Sequence, residues 1–115
     1  MLKKENRIVK RTEFLKIKET GTIKQSPFFG LAYLIDKENV ENKIGFIISK
    51  KVSKKAVTRN KIRRQISEII YNLVDDLPKG FIGIFLVRSN ILDIEMKSLQ
   101  IEIEKVFENV KKNNS

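Results

Sequence analysis

The chain contains no cysteine and no histidine. The first absence excludes disulfides, thiolate chemistry and cysteine-held zinc, and the second removes the commonest general base and metal ligand. Protein-borne catalysis is thereby sharply limited; carboxylates remain, and a hydrolase relying on paired Asp or Glu with magnesium is not excluded by composition. No compact carboxylate cluster in the sequence supports one. Nor does any apolar run approach the ~20 residues a membrane-spanning helix needs, so a membrane is touched only from outside. The start, MLKKENRIVKRTEF, has a positive end without a continuous apolar segment behind it, which argues against a secretory signal and predicts a cytoplasmic chain. Acid is missing most conspicuously from one stretch. Ser49 to Arg64, SKKVSKKAVTRNKIRR, holds eight of the 24 basic residues and no carboxylate.

What is present fits one folded domain. At 115 residues, 41% hydrophobic and 33% charged, a single core spanning residues 1–115 is expected, with an unusually charged surface. The net charge of +10 calls for an anionic partner, nucleic acid first and an anionic membrane surface second. Lys50, Lys51, Lys54, Lys55, Arg59, Lys61, Arg63 and Arg64 concentrate that charge where phosphate contact and counterion release favour a polyanion. The plainer reading is a solvated lysine-rich helix face. Such faces ordinarily mix both signs, and this one does not.

Taken in order, residues 1–11 read as an extended basic arm. Thr12 is a candidate N-cap for a short helix to about Thr20, with Glu13 complementing its positive end, Phe14 and Ile17 on one face and Gly21 as the stop. Thr22 to Lys24 gives a weak edge-strand signal. Pro27 to Ile35 reads as a strand, Asp36 to Lys43 as a turn, and Ile44 to Ser49 as a strand whose continuous apolar character predicts a central place in the sheet. From Ala56 to about Leu73, Ile62, Ile66, Ile69 and Leu73 share a narrow arc, widened by Ile70, while Asn60, Lys61, Arg63 and Arg64 fan across the far side. Arg59 lies at the apolar border, where its stem can rest on the core. Asp75 to Gly80 is a breaker, and FIGIFLV, Phe81 to Val87, predicts a buried strand. Leu99, Ile103, Val106, Phe107 and Val110 then mark a second long amphipathic helix, with Asp93 as candidate N-cap and Lys111 and Lys112 at its end. The fold class is α+β, an α/β sandwich in the order α-β-β-(β)-α-β-α.

The strand before the basic stretch, the basic helix and the FIGIFLV strand form a strand-helix-strand crossover, right-handed by the general rule if the strands are parallel. That layout sets the basic loop at one end of the sheet, where RNA or DNA phosphate can reach it. A second surface is aromatic: Phe14, Phe28, Phe29 and Tyr33 accompany Lys16, Lys18 and Lys24, the combination that holds single-stranded nucleic acid at roughly 1 to 3 kcal/mol per stacked base. Taken singly, each ring is more economically read as core. Phe29 and Tyr33 share strand parity and so face the same side.

The stretch SKKVSKKAVTRNKIRRQISEII, Ser49 to Ile70, resembles the signature of the protein subunit of bacterial ribonuclease P: a basic turn, an Ala-Val pair, an Arg-Asn-basic triplet and a basic pair after an isoleucine. The basic start with Phe14 after an acidic residue, Gly45 in the second strand and the terminal helix around SLQIEIEKVF extend the likeness over most of the chain. Lys61 stands where arginine is commoner, keeping charge without the bidentate fork, Ser53 and Lys54 lie in a turn that often carries glycine, and Lys18 takes a position that is often aromatic. The resemblance implies a left-handed crossover, against the general rule. It also implies a protein that carries no catalytic residue itself. A large catalytic RNA, with magnesium, would hydrolyse precursor tRNA to free the mature end bearing a 5′-phosphate. By the same resemblance, Lys50, Lys51, Lys54, Lys55, Arg59, Asn60, Lys61, Arg63 and Arg64 bind the catalytic RNA. Phe14, Lys18, Phe29 and Tyr33 hold the single-stranded leader in a cleft between the sheet and the first helix. Partners are then the catalytic RNA and precursor tRNA, with no obligate protein partner and no membrane. A general or ribosome-associated RNA-binding protein and a self-contained metal-dependent nuclease are the competing readings.

Overall fold

The structure is a computed structural model, which describes Asn6, residues 10–38 and residues 41–113. Its elements in chain order are α1 (Arg11–Thr20), β1 (Thr22–Gln25), β2 (Phe29–Ile35), β3 (Lys43–Ile47), α2 (Ala56–Tyr71), β4 (Phe81–Val87) and α3 (Met96–Asn113), with 3-10 turns at Val74–Asp76 and Ser89–Asp93. This is the expected α-β-β-β-α-β-α order, and the weakly signalled Thr22 to Lys24 segment is a strand after all. The basic arm foreseen for residues 1–11 lies mostly outside the described residues; Arg11 opens α1.

The sheet has the order β1-β2-β4-β3. β1 and β2 are antiparallel, as are β2 and β4, whereas β3 runs parallel to β4 and reaches it through α2. β4 is central. Its lack of hydrophobic alternation follows from burial on both faces: Phe81, Gly83 and Phe85 point to the main core, Ile82 and Ile84 to the side where α1 packs. β3, expected at the centre, is instead an edge strand, and its apolar run has another cause. Ile44, Phe46 and Ile48 face the main core, while Ile47 on the opposite face remains 39% exposed.

The main core is an aromatic layer under two helices. Phe85 touches Phe29, Phe46 and Phe107 at ring-centroid distances of 5.1, 5.8 and 6.2 Å, and Tyr33 stacks on Phe81 at 5.3 Å. Gly83, opposite Tyr33 in the register, keeps that stack possible, since a Cβ there would come within 2.6 Å of the Phe81 ring. Against these rings lie Ile62, Ile66, Ile69 and Ile70 of α2 and Leu99, Ile103, Val106, Phe107 and Val110 of α3. On the other face Ile17 of α1 packs against Ile82 and Ile84.

Both predicted caps are displaced. α1 starts one residue before Thr12, and the Lys10 N–H at its cap position donates to Glu13 Oε1 at 2.8 Å. Glu13 Oε2 also holds Lys43 Nζ at 3.2 Å, with both side chains largely buried, which ties the start of α1 to the start of β3. Asp93 falls in a 3-10 turn, and α3 begins only at Met96, where the Glu95 carbonyl accepts from Leu99 N–H at 3.0 Å.

Asn42 was read only as part of a turn, yet it is 7% exposed and closes the bottom of the sheet. Its Nδ2 donates to the carbonyls of Val74 and Leu77 at 2.8 and 3.3 Å, and its Oδ1 accepts from Phe81 N–H at 3.1 Å. One side chain thus fixes the end of the α2 connection and the first residue of β4. Asn42→Ala removes all three bonds. The Val74 carbonyl keeps Leu77 N–H at 3.3 Å and Phe81 N–H keeps the Pro78 carbonyl at 3.2 Å, so the Leu77 carbonyl is the group left to water. The loss should be about 1 to 3 kcal/mol, read as a lower urea midpoint with an unchanged slope. A loss under about 1 kcal/mol would show that water replaces the amide without penalty.

Candidate nucleic-acid interface

After β3 the chain makes a tight turn, Val52 N–H donating to Ser49 carbonyl at 3.0 Å, and Val52 plugs into the main core at 5% exposure. This anchors a loop otherwise made of cations. Ser53 is its hub: the hydroxyl accepts from Lys55 N–H at 3.2 Å and the carbonyl accepts from Arg59 Nη1 at 2.8 Å. A serine therefore does by hydrogen bonding what glycine would do by backbone freedom, and it leaves the other guanidinium donors of Arg59 for a ligand. Lys55 takes the N-cap position of α2 in an extended conformation without a side-chain cap, and the first turn has no acid. The free N–H groups there favour an anion.

Four isoleucines bind α2 to the sheet, Ile66 and Ile70 with no exposure, Ile62 at 5% and Ile69 at 9%. With that face committed, Asn60, Lys61, Arg63 and Arg64 are exposed. Asn60 Oδ1 accepts from Arg63 Nη1 at 2.8 Å and so steadies one guanidinium on the surface. Lys50, Lys51, Lys54 and Lys55 are exposed and Arg59 is half-buried. Among the described residues, none of these eight cations has a carboxylate within 4.0 Å. Their like charges sum to a positive potential over one end of the sheet.

The aromatic surface departs from the sequence reading. Phe29 is fully buried and Tyr33 is 4% exposed, both in the main core beneath α2 and α3 and away from α1. The shared parity was right; it puts both rings on the wrong face for a cleft beside α1. Their alternates on β2 point there instead, with Ala32 and Leu34 packed on the α1 side. The cleft between α1 and the sheet measures about 180 Å³ and is lined by Phe14, Ile17, Lys18, Gly21, Ile23, Ala32, Ile84 and Leu86. Phe14 at 37% exposure and Ile23 at 55% form its open rim, and Lys18 is exposed beside them. Ile23, Ala32, Ile84 and Leu86 were missed as site residues. The signal that could have found them is parity, because positions alternating with the core rings must line the other face.

Among the described residues no three Asp or Glu side chains come together as a cation cage.

Residues 2–111 match the family model described as Ribonuclease P. The chain is 38% identical over 80 residues to the ribonuclease P protein component of a Pseudanabaena strain, covering 70% of this chain and 69% of that protein. It is 33% identical over 102 residues to the ribonuclease P protein component of a Nitratiruptor strain, covering 89% of each. Among solved structures, a mutant ribonuclease P protein of Staphylococcus aureus superposes with a TM-score of 0.83 at 28% identity, covering 94% of this chain and 90% of that one. A basic loop leading into an amphipathic α2, a parallel β3–β4 pair and a match over almost the full length agree on one assignment: the chain belongs to the family of ribonuclease P protein components.

Proposed function

We propose that this protein is the RNA-binding subunit of a cytoplasmic ribonuclease P in which the chemistry belongs to a catalytic RNA. Lys50, Lys51, Lys54, Lys55, Arg59, Asn60, Lys61, Arg63 and Arg64 grip that RNA, and Phe14 and Lys18, with the aliphatic floor of the α1 cleft, receive the single-stranded leader of precursor tRNA. Water adds at the phosphorus at the leader junction, the bond to the leader's 3′ oxygen breaks, and the mature tRNA keeps the 5′-phosphate. Magnesium belongs to the RNA side in this reading, and among the described residues no three acidic side chains gather around a common point. The observation that carries the reading is the row of cations without acidic partners among the described residues, fixed to the sheet by buried isoleucines. No helix among the described residues is long and apolar enough to cross a membrane.

Purified protein alone should leave precursor tRNA intact, and adding it to a bacterial ribonuclease P RNA at low magnesium should raise the rate of leader removal. Cutting by the protein alone would sink the proposal, and indifference of the catalytic RNA would leave a general RNA binder. Replacing Lys61, Arg63 and Arg64 together by Ala should lower the slope of log affinity against log salt by about 2, since each lost phosphate contact removes roughly 0.7 to 0.9. An unchanged slope would return these side chains to an ordinary solvated face. Phe14→Ala should weaken binding of leader-bearing tRNA more than of mature tRNA while folding is kept. Tyr33→Ala should behave oppositely, costing about 3 to 5 kcal/mol of stability as a core deletion; a stable, leader-deficient Tyr33→Ala protein would refute the assignment of that ring to the core.

A further inference from the structure

Most of the outward surface of the first turns of α2 is what a polyanion-binding helix requires, and one large side chain there is not. Val57 is 77% exposed, the highest value among the exposed large apolar side chains of the described residues. Its place is not peripheral. Val57, Asn60, Lys61 and Arg64 fall at i, i+3, i+4 and i+7, one row along the helix, and all four are exposed. The valine therefore stands at the head of the row that carries the proposed RNA contacts, with Lys54 and Lys55 immediately before it. On that row the charge turns negative only at Glu68, so phosphate is favoured along the first turns, around Val57.

Among the described residues no packing accounts for valine here. The buried face of α2 is made by Ile62, Ile66, Ser67, Ile69 and Ile70. A β-branched residue in an exposed first turn is a poorer helix former than alanine or lysine. Solvation alone would favour a polar side chain at that point.

We infer that Val57 is an apolar anchor for the catalytic RNA, packing against a ribose or an unpaired base between phosphates held by the neighbouring cations. The inference rests on the RNA-binding reading above and deepens it. Cations reach the phosphates whatever the sequence, which sets orientation and supplies salt-dependent affinity; an apolar contact reads shape and contributes affinity that salt does not remove. The row thus combines two kinds of contact. Charge complementarity decides the occupant: an apolar protein surface would have to desolvate the surrounding lysines and arginines, whereas RNA presents sugar and base surface already interleaved with phosphate.

The test uses Val57→Ala, which removes both methyl groups, and Val57→Thr, which keeps the branched shape while a hydroxyl replaces one methyl. Binding of the full-length protein to a bacterial ribonuclease P RNA is measured over a salt series, with thermal unfolding of the free protein alongside. Both variants should bind about three- to tenfold more weakly at every salt concentration, with the log–log slope of the unsubstituted protein and a Tm that is not lowered. Affinity within twofold of the unsubstituted protein would overturn the inference, as would a reduced slope or a lowered Tm. The Lys61, Arg63 and Arg64 variant separates the two levels. If its slope falls while Val57 variants bind normally, only the apolar anchor is lost; if the unsubstituted protein itself shows no steep salt dependence, both readings fall.

Discussion

The constraint on which the architecture depends is the burial of β4 from Phe81 to Phe85. It pairs with β2 along one edge and β3 along the other, and both of its faces are covered, by the aromatic layer on one side and by Ile17 of α1 on the other. Because β3 is parallel to β4, the chain between them must return the length of the sheet, and α2 is that return. A parallel crossover begins where one strand ends, so the loop after Ile47 and the first turn of α2 share one end of the sheet. The position of the cations is thus a consequence of strand pairing.

Collecting like charges on one loop and helix is opposed by their repulsion, and the magnitudes show why the fold tolerates it. Two unit charges about 10 Å apart in water repel by about 0.4 kcal/mol, and although eight cations make many such pairs, a Debye length of about 8 Å at physiological salt leaves mainly the nearest neighbours to count. Burying the four isoleucines of α2 contributes roughly 6 to 12 kcal/mol as an upper estimate. Hydrophobic anchoring therefore outweighs repulsion. Exposed ion pairs elsewhere, such as Lys111 with Glu108 at 3.0 Å, add little, whereas the largely buried Glu13–Lys43 pair orients α1 over the sheet.

Much of this was legible because the strongest signals are local and periodic. The isoleucine arc of α2, the five core residues of α3 and the unbroken apolar run of β4 each specify an element and its buried face. What was not legible depends on partners distant in sequence. An apolar run such as that of β3 looks the same at the edge of a sheet as at its centre, because only pairing distinguishes them. Asn42 in a polar segment resembles any turn residue until Val74, Leu77 and Phe81 arrive around it. Phe29 and Tyr33 were assigned the correct common face but not the correct side, since parity relates neighbours on a strand without saying which layer each will meet.

The register also relates the two surfaces. Leu86 lines the α1 cleft, its partner on β3 is the partly exposed Ile47, and the turn that opens the basic loop begins at Ser49. The cleft and the cation-bearing loop accordingly meet at the same end of the β3–β4 pair. On the proposed function, a leader lying in the cleft would leave it beside the surface that holds the catalytic RNA, so one rigid pair of strands would set the distance between substrate and catalyst. Preorganisation of that kind needs no moving part. It requires only that β3 and β4 keep their register, which the burial of Ile44, Phe81 and Phe85 enforces, because a slip by one residue would turn those side chains out of the core.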